Sequence, residues 1–134
     1  MSAVTLIRSN ELPTTPGYAY GSAITPGSTL IHFAGTCPLE ADGSITPVGD
    51  FTGQTAKCIE NMLTALRASD AELTDVAYLR VLVASTRADD LRTVWNVVRE
   101  AFGDHEVPST LLGVTVLGYE HQLVEIEAVA AVPG

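Results

Sequence analysis

The sequence predicts an α+β fold, a mixed β-sheet covered on one face by two helices. Three observations carry this reading. Two segments repeat apolar residues at helical spacing, short β-branched runs flank them, and turn residues separate the pieces. The implied order is two or three strands, helix, strand, helix, two strands. No repeat, low-complexity tract or linker interrupts the 134 residues, so one domain over 1–134 is expected.

Val4 to Arg8 and Tyr18 to Ile24 read as strands around a loop carrying Pro13 and Pro16. Thr25-Pro26-Gly27 follows as a turn, because proline presets φ and glycine tolerates its positive values. Thr29 to Ala34 is an apolar strand ending at Gly35, and Cys37 to Asp50 is loop with an Asp42-Gly43 turn signal. The first helix is expected from an N-cap at Thr52 to about Ser69. Its stripe is Ile59, Met62, Leu63 and Leu66, at i, i+3, i+4 and i+7. Val76 to Ala84 is a β-branched strand. The second helix is expected from about Asp89 to Phe102, burying Leu91, Val94, Trp95, Val98 and Phe102. Asp89 and Asp90 suit its N-terminal dipole, and Gly103 suits its end. Strands Thr110 to Leu117 and Leu123 to Val132 close the chain around the polar tip Gly118 to Gln122.

Charge narrows the partners. The chain carries 16 acidic and 7 basic side chains, a net charge of -9, and Lys57 is its only lysine. Nucleic-acid surfaces need clustered cations, and an anionic membrane face would repel this one, so neither partner is expected. No basic start followed by an apolar run marks a signal peptide, and no stretch approaches the length of a membrane span. The two cysteines, Cys37 and Cys58, and the scattered histidines, His32, His105 and His121, match no metal spacing. A reducing cytoplasm is the expected compartment. With 46% hydrophobic and 17% charged residues, surplus apolar surface points to a subunit interface. Leu111, Val114, Val116, Val124, Ile126 and Val129 are read as the face that identical copies would bury.

Four motifs carry a family resemblance: Pro16-Gly17-Tyr18, Ala34-Gly35-Thr36-Cys37-Pro38, Gln54-Thr55 with Asn61, and Val124-Glu125-Ile126-Glu127-Ala128. Together they resemble the RidA (YjgF-like, L-PSP endoribonuclease-named) family over nearly the whole chain. The resemblance implies a chorismate-mutase-like fold and a homotrimer with pockets between subunits. It also implies cofactor-free hydrolysis of 2-imino or 2-aminoacrylate acids to 2-keto acids and ammonia. Deaminating members carry an arginine for the substrate carboxylate at the start of the penultimate strand. This chain reads Pro108-Ser109-Thr110 there, so ordinary 2-imino-acid deamination is expected to be weak. The alternative is a non-catalytic homotrimer that binds a metabolite or serves as a scaffold.

The resemblance assigns Glu125 to water positioning, against a plain structural carboxylate. Glu127 shares its strand face. Tyr18, Gly35, Cys37 and Thr110 are candidate substrate contacts. For Tyr18 the competing role is core packing, for Gly35 a strand-end turn, and for Cys37 an inert side chain in place of a nucleophile. Arg80, a cation inside a strand, either replaces the missing charge or pairs with an acid. His121 is a candidate base on a hairpin tip that is polar in any case. Asn96 reads as solvent-facing, and Trp95 and Met62 as core.

Overall fold

The chain, described from residue 2 to 134 by a computed structural model, places its two helices on one face of a four-stranded sheet. Its elements are β1 (Val4–Ile7), β2 (Gly21–Ile24), β3 (Thr29–His32), α1 (Phe51–Ala68), β4 (Val76–Val83), α2 (Ala88–Phe102), β5 (Ser109–Gly113) and β6 (Val124–Val132). The sheet order is β3-β6-β4-β5. Strand β6 runs antiparallel to both β3 and β4, while β4 and β5 are parallel. Parallel neighbours need a crossover between them, and α2 supplies it.

Alternation along β4 and β6 decides which side chains the helices cover. Leu79, Val81, Val83, Val124, Ile126 and Ala128 point to the helical side and are buried. Ile59, Met62 and Leu66 of α1, with Val94, Trp95, Val98 and Phe102 of α2, fill the layer above them. Both expected helical stripes are therefore the buried faces, and Leu63 and Leu91 are half-buried at their margins. Each such aliphatic side chain contributes about 1.5–3 kcal/mol through burial.

Four expectations need correction. First, α1 starts two residues early. Asp50 is its N-cap, accepting the Gly53 N–H at 3.0 Å, because Asp50 is the residue that keeps extended backbone angles. Thr52 lies exposed in the first turn. Second, β1 and β2 pair only with each other, in register Val4↔Ile24 to Ile7↔Gly21, and pack Ala3 and Val4 against Ala77 and Ala131. Third, β5 stops at Gly113 and β3 at His32, so Val116 sits in a loop at 76% exposure. Fourth, Val124 and Ile126 lie in the helical core and Leu111 packs against it. Of the six apolar residues expected on the opposite face, only Val129 stands there, in one row with Tyr78 and His32. The uncovered face carries Leu30, Arg80, Leu82, Thr110, Leu112, Glu125 and Glu127, a mixed surface that composition alone did not predict.

Candidate functional site

The edge of β6 shapes the first cluster of candidate residues. Phe33 donates its N–H to Ala128 O at 3.1 Å, and Thr36 exchanges two hydrogen bonds with Ile126, of 2.7 and 3.0 Å. Between them Ala34 and Gly35 face the single residue Glu127, a bulge that bends the chain over the sheet. Gly35 thereby comes to rest on the Glu125 carboxyl group. A β-carbon at position 35 would stand 2.6 Å from both Cδ and Oε2 of Glu125, so a larger residue there must displace that carboxyl group.

The two carboxylate oxygens of Glu125 have different surroundings. Oε1 accepts the Cys37 thiol at 3.3 Å and the Gln122 side-chain amide at 3.4 Å. Gln122 is 96% buried by its neighbours and also donates to Val124 O at 3.1 Å, which fixes its amide. Oε2 has no hydrogen-bond partner among the described residues, yet it is not a sealed polar atom, so it meets solvent. Burial, followed by the Glu125 contact, pushes the Cys37 thiol up from 9.0 to about 11. At neutral pH the sulfur is a protonated donor, and its chemistry is that of a hydrogen-bonding group.

Two polar residues of α1, seven positions apart and hence on one helix face, hold this cluster in place. Asn61 donates to Cys37 O and Leu39 O, both at 2.9 Å. Gln54, fully buried, donates to Pro47 O at 3.0 Å and His121 O at 2.9 Å, and accepts the Leu123 N–H at 2.8 Å. Its amide thus ties the loop before α1 to the tip that leads into Glu125. The motif contributes positioning to the site, and the spacing of seven is its sequence trace. Gln122 is the member of the cluster that the sequence left unmarked, since a glutamine in a polar hairpin carries no signal. A cavity of about 580 Å³ opens beside Gly35 and Cys37, bounded by Phe33, Leu39, Lys57 and Asn61. Lys57 at its rim bridges Glu40 at 3.5 Å and Glu60 at 3.2 Å.

Tyr18 and Thr110 belong to a second cluster. They line a cavity of about 420 Å³ with Trp95 and Arg92 of α2. Tyr18 packs edge-on to Trp95, ring centroids 6.1 Å apart, and the indole N–H donates to Pro16 O at 2.7 Å. Gly17 is held open by Arg99, whose Nε would stand 2.7 Å from a β-carbon there. The Thr110 hydroxyl shares a 2.6 Å hydrogen bond with the Tyr78 hydroxyl. In the sheet register Glu127, Arg80 and Thr110 form one row, and Glu125, Leu82 and Leu112 the next. Glu125 and Thr110 therefore share a face about 12 Å apart, two strands and one row removed.

Arg80 joins neither cluster. It pairs with Glu127 at 3.7 Å, both about half exposed, which is the ion-pair role read as its alternative. His121 is exposed, with φ of 69° and its ring 3.6 Å from Glu120, so its backbone carbonyl rather than its imidazole serves the site. Asn96 is exposed, and Trp95 and Met62 are buried as expected.

The family model for L-PSP endoribonucleases matches residues 11–132. This chain belongs to the L-PSP endoribonuclease family. Solved structures agree with the assignment. A Rid-family protein, YyfB of Yersinia pestis, superposes with a TM-score of 0.89 at 24% identity, covering 97% of this chain and 99% of its own. A YjgF-family protein of Mycobacterium tuberculosis is 30% identical with a TM-score of 0.66, covering 96% and 99%. Escherichia coli TdcF, solved with bound serine, is 24% identical with a TM-score of 0.67, covering 97% of this chain and 99% of its own. A search of curated proteins finds no match. As an L-PSP-family chain it has the mixed sheet with two helices on one face that its motifs implied. None of the helices in its described residues is long and apolar enough to cross a membrane.

Proposed function

We propose that this L-PSP-family chain is a cofactor-free hydrolase of small imines, enamines or related carbonyl derivatives, with Glu125 as its acid-base group. The observation that carries the reading is the division of labour on Glu125. Cys37 and Gln122 hold Oε1, while Oε2 stays open beside Gly35. A carboxylate fixed by one oxygen presents the other at a constant angle, which is what proton transfer to and from a bound water requires.

The chemistry balances without a cofactor. Oε2 takes a proton from water as its oxygen bonds to the imine carbon. The carboxylic acid so formed returns that proton to nitrogen, giving a carbinolamine; Oε2 then takes the remaining hydroxyl proton and passes it to nitrogen as the C–N bond breaks, so that a carbonyl compound and ammonia leave. Thr110 carries no charge and its hydroxyl is engaged by Tyr78, so the strand gives no ionic grip on a substrate carboxylate. Ordinary 2-imino acids are accordingly weak substrates, and neutral or aromatic analogues better ones.

Glu125 and Thr110 stand too far apart in one chain to touch one small ligand. The reading therefore includes a homotrimer in which the Tyr18–Thr110 cluster of one copy faces the Glu125 cluster of the next. Leu30 at 50% and Leu112 at 41% exposure on the uncovered sheet face support such contact. Two free cysteines favour a reducing compartment such as the cytoplasm. With a charge of -9, a nucleic-acid substrate fits poorly.

The test generates imines with an amino-acid oxidase and follows their loss and ammonia release. Wild type should accelerate hydrolysis of neutral or aromatic imines, and Glu125→Gln should lower the rate by about a hundredfold or more. No acceleration by wild type, or an unchanged rate in Glu125→Gln, sinks the reading. The engaged Thr110 hydroxyl favours one second reading, a trimer that binds a metabolite without converting it. Thermal shift with no turnover would mark that outcome, since ligand at 100 times its dissociation constant adds about 2.7 kcal/mol.

A further inference from the structure

Tyr78 has no role in either cluster as described so far, yet its hydroxyl bears on the cavity between α2 and the open edge of β5. Most polar groups of that cavity are already spent. The Trp95 indole N–H goes to Pro16 O at 2.7 Å, and the Ser109 hydroxyl to Val107 O at 2.9 Å. Arg92 has its charge paired to Asp89, with both side chains about two-thirds exposed, so the cavity holds no unpaired cation. Two sources of donors remain: the Tyr18 hydroxyl, which has no partner among the described residues, and the Tyr78–Thr110 pair.

The pair has one donor to spare. Two hydroxyls carry two O–H groups, and the 2.6 Å hydrogen bond between them uses one. The phenolic O–H is the better donor of the two, so Tyr78 donates and the Thr110 O–H is left over. Position fits this direction, because Thr110 lines the cavity and Tyr78 lies behind it. Accepting from Tyr78 also polarises the Thr110 hydroxyl and fixes its rotor, which makes it a stronger and better aimed donor. Neither hydroxyl carries charge, and a carboxylate moved into this wall of Tyr18, Trp95 and Leu111 would lose its hydration without an ionic partner.

We infer that Tyr78 is a positioning residue that turns the Thr110 hydroxyl into an oriented neutral donor, selecting ligands with an uncharged carbonyl-type acceptor on an apolar body. The inference rests on reading the Tyr18–Thr110 cavity as part of the ligand pocket, and it deepens the preference for neutral substrates by naming the group that recognises them.

Trp95 is the only tryptophan, so its emission reports on this cavity. Three probes of similar shape are titrated into the full chain. Acetophenone has a carbonyl acceptor, ethylbenzene has a methylene in its place, and benzoate has a charge. Acetophenone should shift the emission saturably and bind about fivefold tighter than ethylbenzene, the worth of one neutral hydrogen bond. Benzoate should bind less tightly than acetophenone. Thr110→Val should remove the fivefold preference and Thr110→Ser should keep it. Tyr78→Phe should reduce it, although Thr110 itself is intact. Ethylbenzene should bind every variant as it binds wild type, which a general loss of structure would not allow, and circular dichroism checks the fold.

No saturable response to acetophenone, equal affinity for acetophenone and ethylbenzene, or tighter binding of benzoate overturns the inference. A preference that persists in Thr110→Val would belong to Tyr18 and overturns it too, as does one untouched by Tyr78→Phe. Imine turnover is measured on the same samples. A preference that depends on both hydroxyls, without wild-type turnover, sinks the hydrolase and leaves the donor pair. Turnover by wild type without that preference does the reverse.

Discussion

The Glu125 carboxyl group lies directly on the Cα of Gly35, with 2.6 Å between Oε2 and the place a β-carbon would occupy. The contact joins a bulge beside the sheet edge to the strand that carries the proposed acid-base group. One residue cannot be enlarged without moving the other.

Gly35→Ala should therefore act on stability and turnover together. Overpacking of this kind costs about 1–3 kcal/mol, and the displaced carboxylate should lose its hydrogen bonds from Cys37 and Gln122. Urea denaturation and the imine assay measure the two effects. A variant as stable and as active as wild type would show that the bulge relaxes freely around the added methyl group.

Cys37 should make stability depend on alkaline pH. Its folded-state pKa is raised, from 9.0 to about 11, by burial and then by Glu125. The folded chain then holds the thiol proton at pH values where the unfolded chain has released it. The contribution is fully present below pH 9.0 and is lost as pH rises towards 11. Thermal melts across that window should fall less steeply in Cys37→Ala than in wild type. Alkylation by iodoacetamide at neutral pH should be slow at Cys37, and slower still at Cys58, whose burial pushes its thiol even higher. Rapid labelling of Cys37 at neutral pH would contradict the protonated, Glu125-bonded thiol.

Gln54→Ala should be among the more damaging substitutions outside the hydrophobic core. It leaves Pro47 O, His121 O and the Leu123 N–H without their partner in a buried setting. An orphaned buried group costs about 1–3 kcal/mol, so the loss should be roughly 3 kcal/mol in total, read by urea denaturation. Because the lost bonds tie down the segment entering β6, the imine rate should also fall. A loss below about 1 kcal/mol would mean that water replaces the amide.

Much of the fold was legible because its signals are local. The stripes Ile59-Met62-Leu66 and Val94-Trp95-Val98-Phe102 repeat at helical spacing whatever they pack against, and they are the buried faces. Boundaries were less legible. Thr52 suits a cap by residue type, but the backbone conformation makes Asp50 the cap. The uncovered sheet face was misread for a related reason. In Val124 to Val132 both faces carry apolar residues, so alternation does not say which set meets the helices.

For the site, the family motifs marked Gly35, Cys37, Glu125, Tyr18 and Thr110 as candidates, and the sequence by itself determined that no cation stands at 110 and that Lys57 is the lone lysine. Tertiary structure alone decided how they group. Cys37 and Glu125 are 88 residues apart in the chain yet share a hydrogen bond. Arg92 reaches the cavity of Thr110 only because α2 crosses back over β5, and Arg80, which has Thr110 on one side in register and Glu127 on the other, pairs with Glu127. Periodicity and capping act over one or two turns of chain, whereas a site is made of side chains brought together by sheet register and by crossovers. Local pattern specifies the former, and packing settles the latter.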